Sequence, residues 1–156
     1  MRVSELIREA APPVTGLPPW YTGGRLLTAA DLDRLDASEF LEGDEFDYEW
    51  RLCRVPVGLL VPHIAASWDE AIAGFIQVAG GTPAAAEYEH ERIDSLKQWF
   101  EQDGVEQCFE TTPIVALLTS DGSVRILDGF HRISVAVHLC HATHVLAAVG
   151  LGDPVE

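Results

Sequence analysis

Asp128, Gly129, Phe130, His131 and Arg132 bring a carboxylate, a glycine, an imidazole and a guanidinium together within five consecutive residues. Arg132 can grip a phosphate or carboxylate through two parallel hydrogen bonds, and His131 can donate a bond or move a proton near neutral pH. Gly129 allows positive φ and a close backbone approach. Asp128 has two uses. It can accept N–H bonds from its own turn, or it can point into a cleft, where a carboxylate near phosphates holds Mg²⁺ or activates a hydroxyl. Ser134 lies one turn further on, either as a hydroxyl for a bound anion or as a plain surface serine.

The flanking residues say how such a loop is held. Val124-Arg125-Ile126-Leu127 is a short β-branched and apolar run entered through Asp121-Gly122-Ser123, the pattern of a strand after a tight turn. Ile133, Ala136, Val137 and Cys140 then recur at helical spacing, which starts a helix near Phe130. A strand turning through glycine into a helix aims unpaired N–H groups at the space above the turn, where both hydrogen bonding and the macrodipole favour an anion. Upstream, Ser67 caps a predicted helix over Trp68–Ala79 with an apolar stripe of Ala71, Ile72, Phe75, Ile76 and Ala79, ending at Gly80-Gly81. Pro83 opens a longer helix to about Gln102, in which Tyr88, Ile93, Leu96, Trp99 and Phe100 supply buried or half-buried contacts. Near the N-terminus, Thr28 followed by Asp31 predicts a short capped helix from Ala29 to about Leu35. Pro12-Pro13, Pro18-Pro19 and Gly23-Gly24 cannot continue a helix and predict an extended arm or loop over residues 11–24, pinned by Trp20.

The Asp-Gly-x-His-Arg loop resembles the core motif of the ParB/sulfiredoxin-like family, and the likeness extends over residues 51–150. Arg54–Pro62 is similar to the family's opening strand, Ile93–Gly104 to a helix ending in glycine, and Pro113–Leu118 to its Pro-Ile-Val strand. The hairpin at Asp121-Gly122, the motif strand and helix, and a last strand over His144–Val149 follow in order. The resemblance implies an α/β (α+β) fold, a compact domain with a small mixed sheet and packed helices over residues 51–156, with residues 1–50 as an irregular acidic extension packed on it. It also implies nucleotide or phosphate-ligand binding at Gly129, Phe130, His131, Arg132 and Ser134. His131 and Asp128 would be the catalytic pair, Asp128 would hold Mg²⁺, and ATP, ADP or CTP would be the ligand, with phosphate hydrolysis or phosphoryl transfer as the reaction. Three departures narrow this. Phe130 stands where sulfiredoxins carry a reactive cysteine, so sulfinic-acid repair by that route is not expected. Twenty-six residues follow the start of the motif helix at Phe130, fewer than the DNA-reading domain of partitioning proteins is expected to need. The branch with the closest loop, the free-serine kinases, has a catalytic glutamate just after the opening strand; here Val61-Pro62-His63-Ile64 occupies that place, with Asp69 and Glu70 the nearest carboxylates and His63 a candidate lining residue.

Composition bounds the partners. With 10 basic and 25 acidic residues the net charge is −15, which opposes attraction to a nucleic-acid backbone and places a nuclease third among the functions. Residues 31–50 concentrate this charge, setting nine carboxylates against Arg34 alone. A solvated acidic face is one account of them. The other is a docking surface for a basic protein, anchored by Phe40, Phe46, Tyr48 and Trp50, which would make the chain a non-catalytic interaction module. Cys53, Cys108 and Cys140 cannot all pair and sit beside apolar residues, so reduced core thiols in a cytoplasmic protein are expected. No apolar run approaches membrane-spanning length and nothing resembles a signal peptide. His138, His141 and His144 with Cys140 offer zinc-type ligands, but the predicted helix ends near Cys140 and splits them, which leaves surface or capping histidines.

Overall fold

The computed structural model describes residues 7–8, 16–34, 49–61 and 64–154. They form a mixed α/β fold with six α-helices and a five-stranded open sheet. The sheet contains β2 (Arg25–Leu26), β3 (Trp50–Pro56), β4 (Ile114–Leu118), β5 (Val124–Asp128) and β6 (His144–Leu151), in the order β2-β3-β6-β4-β5. β6 runs parallel to β4, and the other neighbours are antiparallel. β1 (Ile7–Arg8) pairs with β7 (Asp153–Pro154) as a separate two-stranded ribbon. β4 is buried along its whole length, as expected of Ile-Val-Ala-Leu-Leu in a strand covered on both faces.

The helices are α1 (Pro19–Thr22), α2 (Ala29–Asp33), α3 (Trp68–Val78), α4 (Pro83–Asp103), α5 (Val105–Thr111) and α6 (Phe130–His138). Local chemistry sets their starts. Ser67 and Thr82 cap α3 and α4 by accepting from Glu70 N–H at 3.2 Å and Ala85 N–H at 3.1 Å, and Pro83 sits in the first turn of α4. Thr28 and Asp31 form a reciprocal capping box on α2. Ile93, Phe100, Cys108, Phe109 and Ile133 from the helices meet Val55, Ile114, Ala116, Leu118, Val145 and Ala147 from the sheet in one core.

Several expectations change. Residues 11–24 were expected to be an extended arm or loop without helix, but Pro19–Thr22 forms a one-turn helix, because proline is tolerated at the first helical position. Tyr21 on that turn is fully buried, its hydroxyl donating to Glu49. Helix α2 stops at Asp33, with Arg34 as its C-cap. The opening strand begins at Trp50 rather than Arg54 and ends at Pro56, and Val57–Leu59 is a 3₁₀ turn. Trp50 can join because its register partner is Gly150: a Cβ there would lie 2.9 Å from the indole. Helix α5 was not foreseen; its seven residues are too few for a distinct periodicity. Tyr88 and Ala79 are exposed rather than packed, and Ser134 is buried rather than on the surface. His138 is half-buried near Trp68, with Nε2 inaccessible and lacking a hydrogen-bond partner among the described residues. Phe40, Phe46, Tyr48 and His63, on which the docking and lining expectations fell, lie outside the described residues.

The three cysteines are free thiols, and burial pushes Cys53 up to about 11 and raises Cys108 and Cys140. Among the described residues no helix is long and apolar enough to cross a membrane.

Candidate functional site

Helices α3 and α4 and the first turn of α6 together line a cleft of about 1330 Å³. Asp128, Gly129, Phe130, His131, Arg132 and Ser134 all line it. Their position depends on two local devices. The β4–β5 register shifts between Val115 and Ala116, so that Asp128 pairs with Val115 but Ile126 with Ala116, which leaves Leu127 as an extra residue that re-aims the end of the strand. Gly129 then turns the chain at φ 112° and ψ 18°. A Cβ at this position would come within 2.4 Å of Ile114 Cγ2, so both conformation and space require glycine. Glycine offers no capping side chain, and the N–H groups of Phe130 and His131 come ahead of the first intrahelical bond, from Ile133 N–H to Gly129 C=O at 3.0 Å.

The side chains divide into two groups. Arg132 builds the loop. Its guanidinium donates to the carbonyls of Thr112 and Pro113, the latter at 3.2 Å, and to Asp128 Oδ2 at 3.1 Å, with the side chain 12% exposed. These bonds clamp the start of α6 onto the entry to β4, and they take up Asp128, which was expected to bond its own turn or a metal. Arg132 thus carries a construction role that its residue type did not announce.

His131 faces the other way. Its Nε2 lies 2.8 Å from Glu89 Oε2 on α4, and its ring stacks on Phe75 of α3 with centroids 3.9 Å apart and planes at 14°. Three elements therefore fix one imidazole. Burial holds its pKa below the ordinary histidine value, the Glu89 hydrogen bond opposes that shift, and Arg92 adds to it.

Comparison with protein-family models, with curated proteins and with solved structures finds no match for this chain.

Glu89 is the principal residue that the sequence reasoning missed. It is 4% exposed, although glutamate is ordinarily a surface residue. The signal was its spacing: Glu89, Ile93, Leu96 and Phe100 fall at i, i+4, i+7 and i+11 along the buried stripe of α4. A carboxylate on an apolar stripe calls for a partner, because an unpaired buried charge is costly. Phe75 was foreseen as packing, and its contact turns out to be the His131 ring. The rim of the cleft carries three exposed apolar side chains, Val78, Tyr88 and Phe130, while Glu70, Glu91 and Arg92 add charge to its walls. Among the described residues no group of three or more His, Cys, Asp or Glu is arranged to hold a metal ion.

Proposed function

We propose that the cleft binds a nucleotide or another phosphate-bearing small molecule and that the chain has a ParB/sulfiredoxin-like core. The observation that carries the reading is the convergence of all six loop residues on one cleft whose wall includes the first turn of a nine-residue helix. The helix N-terminus supplies amide donors and a positive dipole end to the anion. Tyr88 and Phe130 offer the apolar surface that a nucleobase stacks on. His131 is held where it can hydrogen-bond a phosphoryl oxygen or pass a proton, the chemistry needed for phosphate hydrolysis or phosphoryl transfer. Arg132 acts on the ligand through the loop geometry it maintains.

Mg²⁺ fits this site only as a companion of the phosphates. Asp128 is half-exposed and can offer one oxygen while Arg132 holds the other, and the remaining ligands of a bound ion would come from phosphate and water. Such an ion would neutralise phosphate charge beside Glu70, Glu91 and Asp128, which otherwise repel it.

Thermal denaturation with ATP, ADP, CTP and GTP, each with and without Mg²⁺, tests the reading. A ligand at a hundred times its dissociation constant should stabilise the protein by about 2.7 kcal/mol. If no nucleotide or inorganic phosphate raises the melting temperature, the cleft is not a phosphate site.

A further inference from the structure

A carboxylate accepts hydrogen bonds and does not donate them. The 2.8 Å contact between Glu89 Oε2 and His131 Nε2 therefore places the imidazole proton on Nε2. In the neutral ring the lone pair then belongs to Nδ1. Phe75, stacked at 3.9 Å, opposes the ring rotation that would exchange the two nitrogens. Both contacts come from helices that the loop itself does not include, and Glu89 occupies a stripe position where an apolar residue would otherwise pack.

We infer that Glu89 is a positioning residue that locks His131 in its Nε2–H tautomer, leaving Nδ1 as the general base toward a hydroxyl or water held in the cleft. The inference deepens the ligand-binding reading and rests on it for the identity of the proton donor. In the step, the O–H bond of the hydroxyl breaks and its electron pair stays on oxygen, while an Nδ1–H bond forms. The resulting imidazolium is paired with the Glu89 carboxylate. The charged groups acting on the ring are Glu89 and Arg92 from α4 and Asp128 from β5, and Glu70 from α3, Glu91 from α4 and Arg132 from α6 itself line the same cleft. Burial and Arg92 disfavour the imidazolium, so the base form prevails near neutral pH; Glu89 and Asp128 favour the imidazolium, so it remains reachable.

Long-range ¹H–¹⁵N correlation of the His131 ring in the full chain, without ligand and across pH, tests this. Above its midpoint the parent should show a protonated, pyrrole-type Nε2 and an unprotonated, pyridine-type Nδ1, with the midpoint below about 6.5. In Glu89→Gln, where the paired carboxylate no longer faces the imidazolium, the midpoint should fall further. A parent spectrum showing Nδ1–H or a mixture of tautomers overturns the inference, as does a Glu89→Gln midpoint that stays in place or rises. The parent spectrum is decisive even if the variant does not fold. Since the sample contains no nucleotide, a negative nucleotide panel and a wrong tautomer are separate results: the first removes the ligand class, the second removes the base.

Discussion

At the scale of single residues, Arg132 and His131 are neighbours in sequence with opposite duties. The Arg132 guanidinium is spent on Thr112, Pro113 and Asp128, so Arg132→Ala should cost about 1.5–3 kcal/mol without any ligand, the range for hydrogen bonds made by a charged group. Urea denaturation measures this, and an unchanged midpoint together with lost nucleotide stabilisation would return Arg132 to direct ligand contact. His131 instead links the fold to pH. Its folded pKa lies below the unfolded value of about 6.5, so the unfolded chain binds the proton more readily. The stabilisation is fully present above that value and is lost as pH falls through the folded pKa. The urea midpoint of the parent should therefore decline from pH 7 toward the acid side, and the decline should be shallower in a Glu89→Leu/His131→Phe double variant that lacks this pair. Parallel curves for the two proteins would show that the pair does not set the pH dependence.

At the scale of elements, α4 shows what the site costs the fold. Its inward stripe of buried Ile93 and Phe100 with half-buried Leu96 would continue with an apolar residue at position 89, where it carries glutamate. Replacing one partner of the pair leaves the other buried and unsatisfied, whereas replacing both with apolar residues of similar shape can be nearly neutral or stabilising. Glu89→Leu alone should thus destabilise the protein, and addition of His131→Phe, which keeps the stack on Phe75, should restore the parent's midpoint at pH 7 or exceed it. A double variant as unstable as the single one would mean that the pair is retained for stability rather than for chemistry. The turn into α6 is less forgiving. Gly129→Ala combines a left-handed backbone with a 2.4 Å approach to Ile114 Cγ2. The two penalties together amount to roughly 2–5 kcal/mol, readable from a denaturation curve.

At the scale of the whole molecule, a chain of net charge −15 carries a cleft proposed to take an anion. Distant carboxylates repel a free nucleotide, while the end of α6 attracts it only at close range. Raising ionic strength from about 0.01 M to about 0.15 M shortens the screening length from about 30 Å to about 8 Å, which weakens the far field more than the contacts. Nucleotide affinity measured by calorimetry should therefore rise over that interval, the reverse of a basic nucleotide site. A steady fall in affinity with salt would place the anion on a locally dominant positive surface and contradict this account of the charge. Mg²⁺ should have a larger effect than the same ionic strength of a monovalent salt, because it travels with the phosphates.

Local chemistry wrote much of this protein directly into its sequence. Ser67, Pro83 and Thr28 mark helix starts, Asp121-Gly122 marks the hairpin, and the run from Val124 through Gly129 to Phe130 marks the strand, turn and helix of the loop. Each depends on hydrogen bonds and dihedral preferences that reach only a few residues along the chain. The start of β3 was not legible, since Trp50 is admitted by a glycine a hundred positions away. Nor were the roles inside the loop. Arg132 is committed to carbonyls of Thr112 and Pro113, and His131 is gripped by Glu89 and Phe75, all supplied by other elements. A residue's type sets which bonds it can make, but the partners that compete for those bonds assemble only when helices and sheet pack, so tertiary structure alone decided which of the two side chains holds the loop and which is positioned for chemistry.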